Sequence, residues 1–350
     1  MTVQEKPSPS EIRRARADNP KMRERDLAIE LGILEGELVA AHCGHGAMRI
    51  EPRVGDLLQN MEAIGEVMAL TRNESAVHEK IGVYENVKIG QRAMMTLGAN
   101  IDLRIFPDQW VHGFAVEKRD GETVRRSLQF FDASGEAVHK IHLRPASNLE
   151  AYEKLLGLLA CEDQSQTIAV TPKAVIEREP SDASPDDLRT RWGAMTDVHQ
   201  FVGILRKLNL SRHDAVSMVG EEFARQLDLS ALQAMFAHVV EQEVPIMCFV
   251  GNHGCIQIHS GPVMNIKPMG PWINVMDETF HLHLRQDHIQ ELWAVRKPNS
   301  DGHVTSIEAY DSEGRMIIQF FGKRTEGQDE RDDWRMIAEN LPAIVRSRAA

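Results

Sequence analysis

The second half of the chain carries the clearest pattern. After Val244-Pro245, apolar and polar residues alternate in short runs: "MCFVG", "CIQIHS", "WINVMD", "FHLHLR", "LWAVRK", "VTSIEAYD" and "MIIQFFGK". Period-two alternation broken by Asn-His-Gly, Asp-Gly and Ser-Glu-Gly predicts a meander of strands. Before that point the period is helical. Leu188, Trp192, Met195, His199 and Val202 recur every three or four residues, which predicts a helix that starts at Ser184 and turns an apolar stripe inward. "SPDD" gives it an N-cap serine, a proline at the first position and acids after it. "SRHD" (211–214) and "SALQ" (230–233) are two further capping-box-like starts.

The pattern occurs twice. Under a shift of 179 residues, Met68, Asn73, Val77, Gly82 and Asn86 fall on Met247, Asn252, Ile256, Gly261 and Asn265. The same shift lays "NIDLRIFPD" over "TFHLHLRQD" and "FDASG" over "YDSEG". Upstream, "RERDLAIELG" resembles "LSRHDAVSMVG" at a shift of 188, so the first copy has the longer connection. A period this long is a duplicated domain and not a solenoid. The expected fold is α+β, two structurally repeated halves, each helices plus a large antiparallel β-sheet. The expected boundaries are 1–165, a linker at 166–183 rich in Ser, Pro, Asp and Glu, and 184–350.

Composition narrows the class. At 42% hydrophobic and 26% charged, 350 residues suit a globular protein of two domains. No apolar run is long enough to span a membrane, so no membrane insertion is expected. The N-terminus has no apolar core of a secretory signal, which makes a cytoplasmic location the default. A net charge of −12 argues against a nucleic-acid partner but leaves a small anionic ligand open. The four cysteines form no CxxC pair. "AHCGHG" (His42, Cys43, His45) has no second cluster to complete a metal site and reads as a surface turn.

His199 is the anomaly on the apolar stripe. A core histidine needs a partner for each ring nitrogen, whereas a ligand histidine keeps one bare. Its counterpart in the first copy is Glu11, so the fold itself does not demand a histidine there. An imidazole above an apolar cavity is the proximal arrangement of haem proteins. Met247, Phe249, Phe320 and Phe321 can supply walls, and Arg212, Lys297 and Arg324 can supply cations, although each cation alone reads as a solvated charge.

"TDVHQF", "GNHGCIQIHSGP", "GPWINVMD", "FHLHLRQDHI", "VRKPNSDGHVTSIEAYDSEG" and "QFFGKRTEG", with "TRNESAVHEKIGVYENV" and "FFDASGEAVHKIHLR" in the first half, closely resemble the bacterial haemin-degrading or haemin-transport proteins of the HemS/HmuS type. The likeness runs from about residue 11 to 343. It implies a cytoplasmic protein that accepts haem after import through an outer-membrane and ABC-transporter system. It implies His199 as the axial iron ligand, Arg104 as a distal, catalytic arginine, and Arg212, Lys297 and Arg324 on the propionate side. Gln319, Met247 and Phe249 match pocket-lining positions. His78, in "AVHE", is a secondary ligand candidate, otherwise an exposed strand histidine. In "NIDLRIF" alternation sends Ile101, Leu103 and Ile105 one way and Arg104 the other, where it otherwise pairs with Asp102. Phe321 departs from the family, which often has an aromatic hydroxyl there. The resemblance leaves two fates for haem open, oxidative degradation with an external reductant or delivery to a separate haem oxygenase, and leaves a homodimer open.

Overall fold

The computed structural model describes residues 6–172, 181–300, 302–324 and 329–344. The chain divides into two compact units. Unit 1 comprises Met1–Arg72, Glu79–Ala174 and Gly251–Gln257; unit 2 comprises Asn73–His78, Val175–Val250 and Ile258–Ala350. Residues 173–180 of the expected linker lie outside the described set. Its described start is held to unit 1, where the Gln166 side chain donates to the Cys43 carbonyl at 2.9 Å.

The same element order appears twice. The first copy runs α1 (Pro9–Asp18), α2 (Glu24–Glu30), α3 (Glu35–Ala40), β1 (Ala47–Ile50), α4 (Val54–Ile64), β2 (Val67–Arg72), β3 (Ala76–Gly82), β4 (Met94–Leu97), β5 (Asp102–Ile105), β6 (His112–Asp120), β7 (Thr123–Phe131), β8 (Ala137–Leu143) and α5 (Leu149–Leu158). The second runs α6 (Pro185–Gly193), α7 (Gln200–Leu208), α8 (Arg212–Met218), β9 (Ala224–Leu227), α9 (Ala231–Glu241), β10 (Ile246–Gly251), β11 (Cys255–Gly261), β12 (Ile266–Met269), β13 (Trp272–Met276), β14 (Phe280–Arg285), β15 (Glu291–Asn299), β16 (Gly302–Tyr310), β17 (Met316–Gly322) and α10 (Asp332–Asn340).

The long strands pair antiparallel in the order β1-β6-β7-β8-β2 in unit 1 and β9-β15-β16-β17-β10 in unit 2. Even the register repeats. Met68 faces His142 and Leu70 faces Lys140; 179 residues on, Met247 faces Phe321 and Phe249 faces Gln319. A bulge falls at Phe130/Phe131 and again at Ala309/Tyr310. The duplication therefore extends to single hydrogen-bonded pairs.

Each of these sheets buries one face under two helices. In unit 1, Leu57, Met61 and Ile64 of α4 and Leu155 of α5 pack on Leu128, Phe130 and Ile141. In unit 2, Met235 and Phe236 of α9 and Trp334 of α10 pack on Ile307, Ala309 and Phe320. Each such side chain contributes roughly 1.5–3 kcal/mol by leaving water. The opposite face of unit 2 carries a second cluster, in which Trp192, Phe201 and Val216 cover Trp293, Val295 and Tyr310. Among the described residues no helix is long and apolar enough to cross a membrane.

The local start signals fare unevenly. Ser184 caps α6 by accepting from Asp187 N at 3.1 Å, and Ser211 forms a full capping box with Asp214. Ser230 makes no such bond; Asp228 accepts its amide instead. The helix from Ser184 does not continue to Val202. It ends at Gly193, and α7 begins afresh at Gln200. The break follows from low helix propensity at Gly193 and from Asp197, whose carboxylate captures the His199 amide at 2.7 Å and so competes with the helical ladder. The inward stripe through His199 and Val202 is thereby corrected: both are exposed. β9 and β12 are strands that alternation did not predict.

Candidate functional site

His199 occupies the N-cap position of α7. Its side chain is 85% exposed, and Nδ1 lies 2.7 Å from Asp197 Oδ1. Bonds from the His199 backbone and ring, with the nearby charges of His199 and Arg324, hold the Asp197 carboxyl below its ordinary pKa. An ionised carboxylate only accepts, so Nδ1 carries the hydrogen of this bond and Nε2 is the ring nitrogen left for another partner. This is the arrangement in which a carboxylate orients a ligating imidazole. The tautomer is set by Asp197 and not by burial. Arg324, just beyond β17, is among the charges that favour the ionised form of Asp197.

Two residues on from His199, Phe201 is buried beneath two cations. The Arg212 guanidinium lies 4.9 Å and Lys297 Nζ 5.1 Å from its ring centroid, within reach of cation–π attraction. Both cations converge on Glu308, a residue with 0% exposure. Glu308 accepts from Lys297 Nζ at 2.6 Å, Arg212 at 3.2 Å, Ser306 Oγ at 2.8 Å, Tyr310 OH at 2.6 Å and Gln319 Nε2 at 2.9 Å. Burial pushes its pKa up, but the adjacent Lys297 and Arg212 overcome that and hold the carboxyl well below the carboxylate range. Burial likewise lowers Lys297 against the pull of Glu308. From the sequence Lys297 alone reads as a solvated charge; it is in fact buried and ion-paired with Glu308.

Strand register puts the remaining candidates on that same sheet face. Gln319 pairs with both Glu308 and Phe249, and Phe321 with Ser306 and Met247. Met247, Phe249, Gln319 and Phe321 are all half-buried, and the rings of Phe249 and Phe321 meet edge to face at 5.1 Å. Phe320 points the other way, into the core, and is no wall of this face. Unit 2 thus brings Arg212, Met247, Phe249, Lys297, Gln319 and Phe321 to one sheet face, with one surplus positive charge at its buried base, while His199 and Arg324 belong to the same unit. Glu308, on which Arg212, Lys297 and Gln319 all depend, was missed in the sequence. On an alternating strand it reads as a solvated acid.

Two candidates lie elsewhere. Arg104, on β5 in unit 1, is half-buried and paired with Asp102, while Ile101, Leu103 and Ile105 are fully buried as alternation predicted. His78 is no exposed strand histidine. It is 0% exposed, with its ring centroid 4.9 Å from that of Phe280, and Phe280 in turn stacks parallel on His259 at 3.9 Å.

The haemin-degrading HemS.ChuX domain matches the chain twice, over residues 32–159 and 209–341. The hemin transport protein HemS of Yersinia enterocolitica is 40% identical over 322 residues, covering 92% of this chain and 93% of that protein. Among solved structures, holo-PhuS, a heme-binding protein from Pseudomonas aeruginosa, superposes with a TM-score of 0.91 at 42% identity, covering 97% of this chain and all of that one. ChuS, described as an E. coli heme oxygenase, gives 0.85 at 36% identity over 93% and 98% of the two chains. The repeated order of elements and the repeated match agree: this chain belongs to the haemin-degrading HemS.ChuX domain family and carries that domain twice.

Proposed function

We propose that this protein binds haem through His199 and serves bacterial haem uptake in the cytoplasm, taking haem as its cargo or substrate. The observation that carries this reading is the exposed imidazole of His199 with Nδ1 held by Asp197. A neutral imidazole in this tautomer can donate its lone pair to iron without first losing a proton. Met247, Phe249 and Phe321 offer an apolar surface for a porphyrin. Arg212, Lys297 and Arg324 offer positive charge for carboxylate groups, and because Lys297 and Arg212 share one acid, the buried base keeps a single excess cation. Phe321 brings no hydroxyl to this surface.

When bound, haem supplies an iron centre able to react with oxygen in the presence of a reductant. Arg104 is our candidate for the catalytic hydrogen-bond donor, a role that requires its guanidinium to leave Asp102. A haem ABC transporter and a separate haem oxygenase are the partners such a role calls for.

Haemin titration of wild type, His199→Ala and His78→Ala tests the assignment. A sharp Soret band lost only in His199→Ala is the expected result; loss only in His78→Ala would move the ligand to the first-half motif. The names of the relatives divide between transport and oxygenase. Incubation of haem-loaded protein with a mild reductant and catalase separates these fates. An open-chain tetrapyrrole that forms in wild type and not in Arg104→Ala marks an enzyme, and no product from either marks a carrier.

A further inference from the structure

The segment between Gly32 and β1 is longer than its counterpart between Gly220 and β9, and it contains α3 and the "AHCGHG" turn. This extra segment walls a cleft of about 610 Å³ in unit 1. Among the described residues no group of three or more His, Cys, Asp and Glu is arranged to hold a metal ion. The turn is a built feature. Gly46 has φ +96°, and a Cβ there would stand 2.9 Å from the Glu117 carbonyl oxygen, so only glycine fits. Its own carbonyl accepts from Glu117 N at 2.7 Å, which fixes the turn to β6.

The cleft floor is apolar, made by Leu38, Val39, Ala47 and Val116. Its rim is cationic: five basic side chains line it against three acids, in a chain whose net charge is −12. Three of the cations are committed. Lys118 pairs with Glu24, Arg119 with Glu117, and Arg16 donates to the backbone carbonyl of Met22. Lys21 and Arg125 form no ion pair among the described residues. His42 donates from Nδ1 to the Leu38 carbonyl at 2.9 Å, and burial lowers its pKa, so Nε2 is an unprotonated acceptor. Two uncommitted cations and one acceptor over an apolar floor match the recognition of a small amphipathic anion, and the volume falls in the usual range for such sites.

We propose that this cleft binds a small organic anion, an apolar body bearing carboxylate or phosphate groups and an N–H or O–H group, with Lys21 and Arg125 pairing its charges and His42 Nε2 accepting from that N–H or O–H. The site is separate in its residues from the His199 face. Titration calorimetry tests it with two probes, biliverdin as a dicarboxylate and 4-nitrophenyl phosphate as a phosphate monoester. The proteins are the full chain with and without saturating haemin, and the Lys21→Ala/Arg125→Ala double variant, whose two sites are exposed and whose fold circular dichroism verifies. The expected result is that at least one probe binds wild type equally with and without haemin, and that the double variant weakens it roughly tenfold or more. Which probe binds tells carboxylate from phosphate. Unchanged affinity in the double variant, displacement by haemin, or no heat from either probe on wild type overturns the proposal.

Discussion

The two copies solve the same problem on the equivalent sheet face with opposite placements of charge. In unit 1 the acids come from helices: Glu35 of α3 pairs with Arg72 and with Lys140 at 2.5 Å, and Glu24 of α2 with Lys118 and Lys140. The strands supply the cations. In unit 2 the acid is on a strand, Glu308 of β16, and a helix supplies one cation, Arg212 of α8. Lys118 and Lys297 are equivalent under the 179-residue shift, as are Gln129 and Glu308, and Lys140 and Gln319. Glu24 and Arg212 correspond at 188. One lysine is thus retained while the acid moves from the covering helices into the sheet. Each network still ends with one cation more than its acids. Duplication conserves the balance of a buried polar cluster more strictly than the residues that strike it. In unit 1 the inserted α3 closes this face with Glu35. In unit 2 no counterpart of α3 intervenes, and the face at Met247, Phe249 and Phe321 stays half open.

The comparison predicts a large, unequal response to losing the acids. Glu308→Ala leaves Lys297 buried beside a second cation, which costs roughly 3–5 kcal/mol. Glu35→Ala takes the carboxylate from buried Arg72 but leaves Lys140 that of Glu24 at 3.6 Å, so a smaller loss is expected. Urea denaturation of the two variants checks the ranking, and equal losses would show that the acids are interchangeable supports.

A smaller effect belongs to unit 1 alone. His139 is fully buried, with Nδ1 against Thr71 Oγ1 at 2.8 Å and Nε2 against Tyr84 OH at 2.6 Å, and burial lowers its pKa from 6.5 to about 3. The unfolded chain therefore binds this proton between pH 6.5 and 3 while the folded chain does not, and stability falls as pH drops through that window. The expected loss from this residue between pH 7 and 5 is roughly 2 kcal/mol. His139→Gln should flatten denaturation midpoints across that range; an unaltered slope would assign the acid sensitivity elsewhere. Unit 2 has no equivalent, since position 318 is isoleucine.

The least disruptive change is Asp197→Ala. Both Asp197 and His199 are exposed, so the fold should be unaffected, while the imidazole loses its orientation. Haemin affinity should drop about tenfold. If affinity holds, the tautomer is not set by Asp197.

Much of this was legible in the chain. Period-two alternation located β10, β11 and β13 to β17 because each has at least one face in an apolar core. β9 and β12 escaped because four residues carry little alternation, and β12 holds Lys267 and Pro268. His199 stood out for a reason that proved partly wrong. Apolar spacing ran on across Gly193 and Asp197, whose local hydrogen bonding ends the helix, so a residue read as inward faces out. Glu308 and Lys297 were illegible as a pair. β16 is buried on both faces over most of its length, and alternation then labels as solvated a set of polar residues that satisfy one another. The clue available was that Lys297, Ser306, Glu308 and Gln319 share one face in register.

The break between α6 and α7 has a consequence for timing. A ligand fixed in mid-helix could let go of its metal only if the helix moved with it. His199 instead sits where six non-helical residues join two short helices, tied by hydrogen bonds to a single exposed carboxylate. Such a side chain can swing aside at small cost. If His199 holds the iron as proposed, the residence time of the haem is then governed by this local segment and not by global opening.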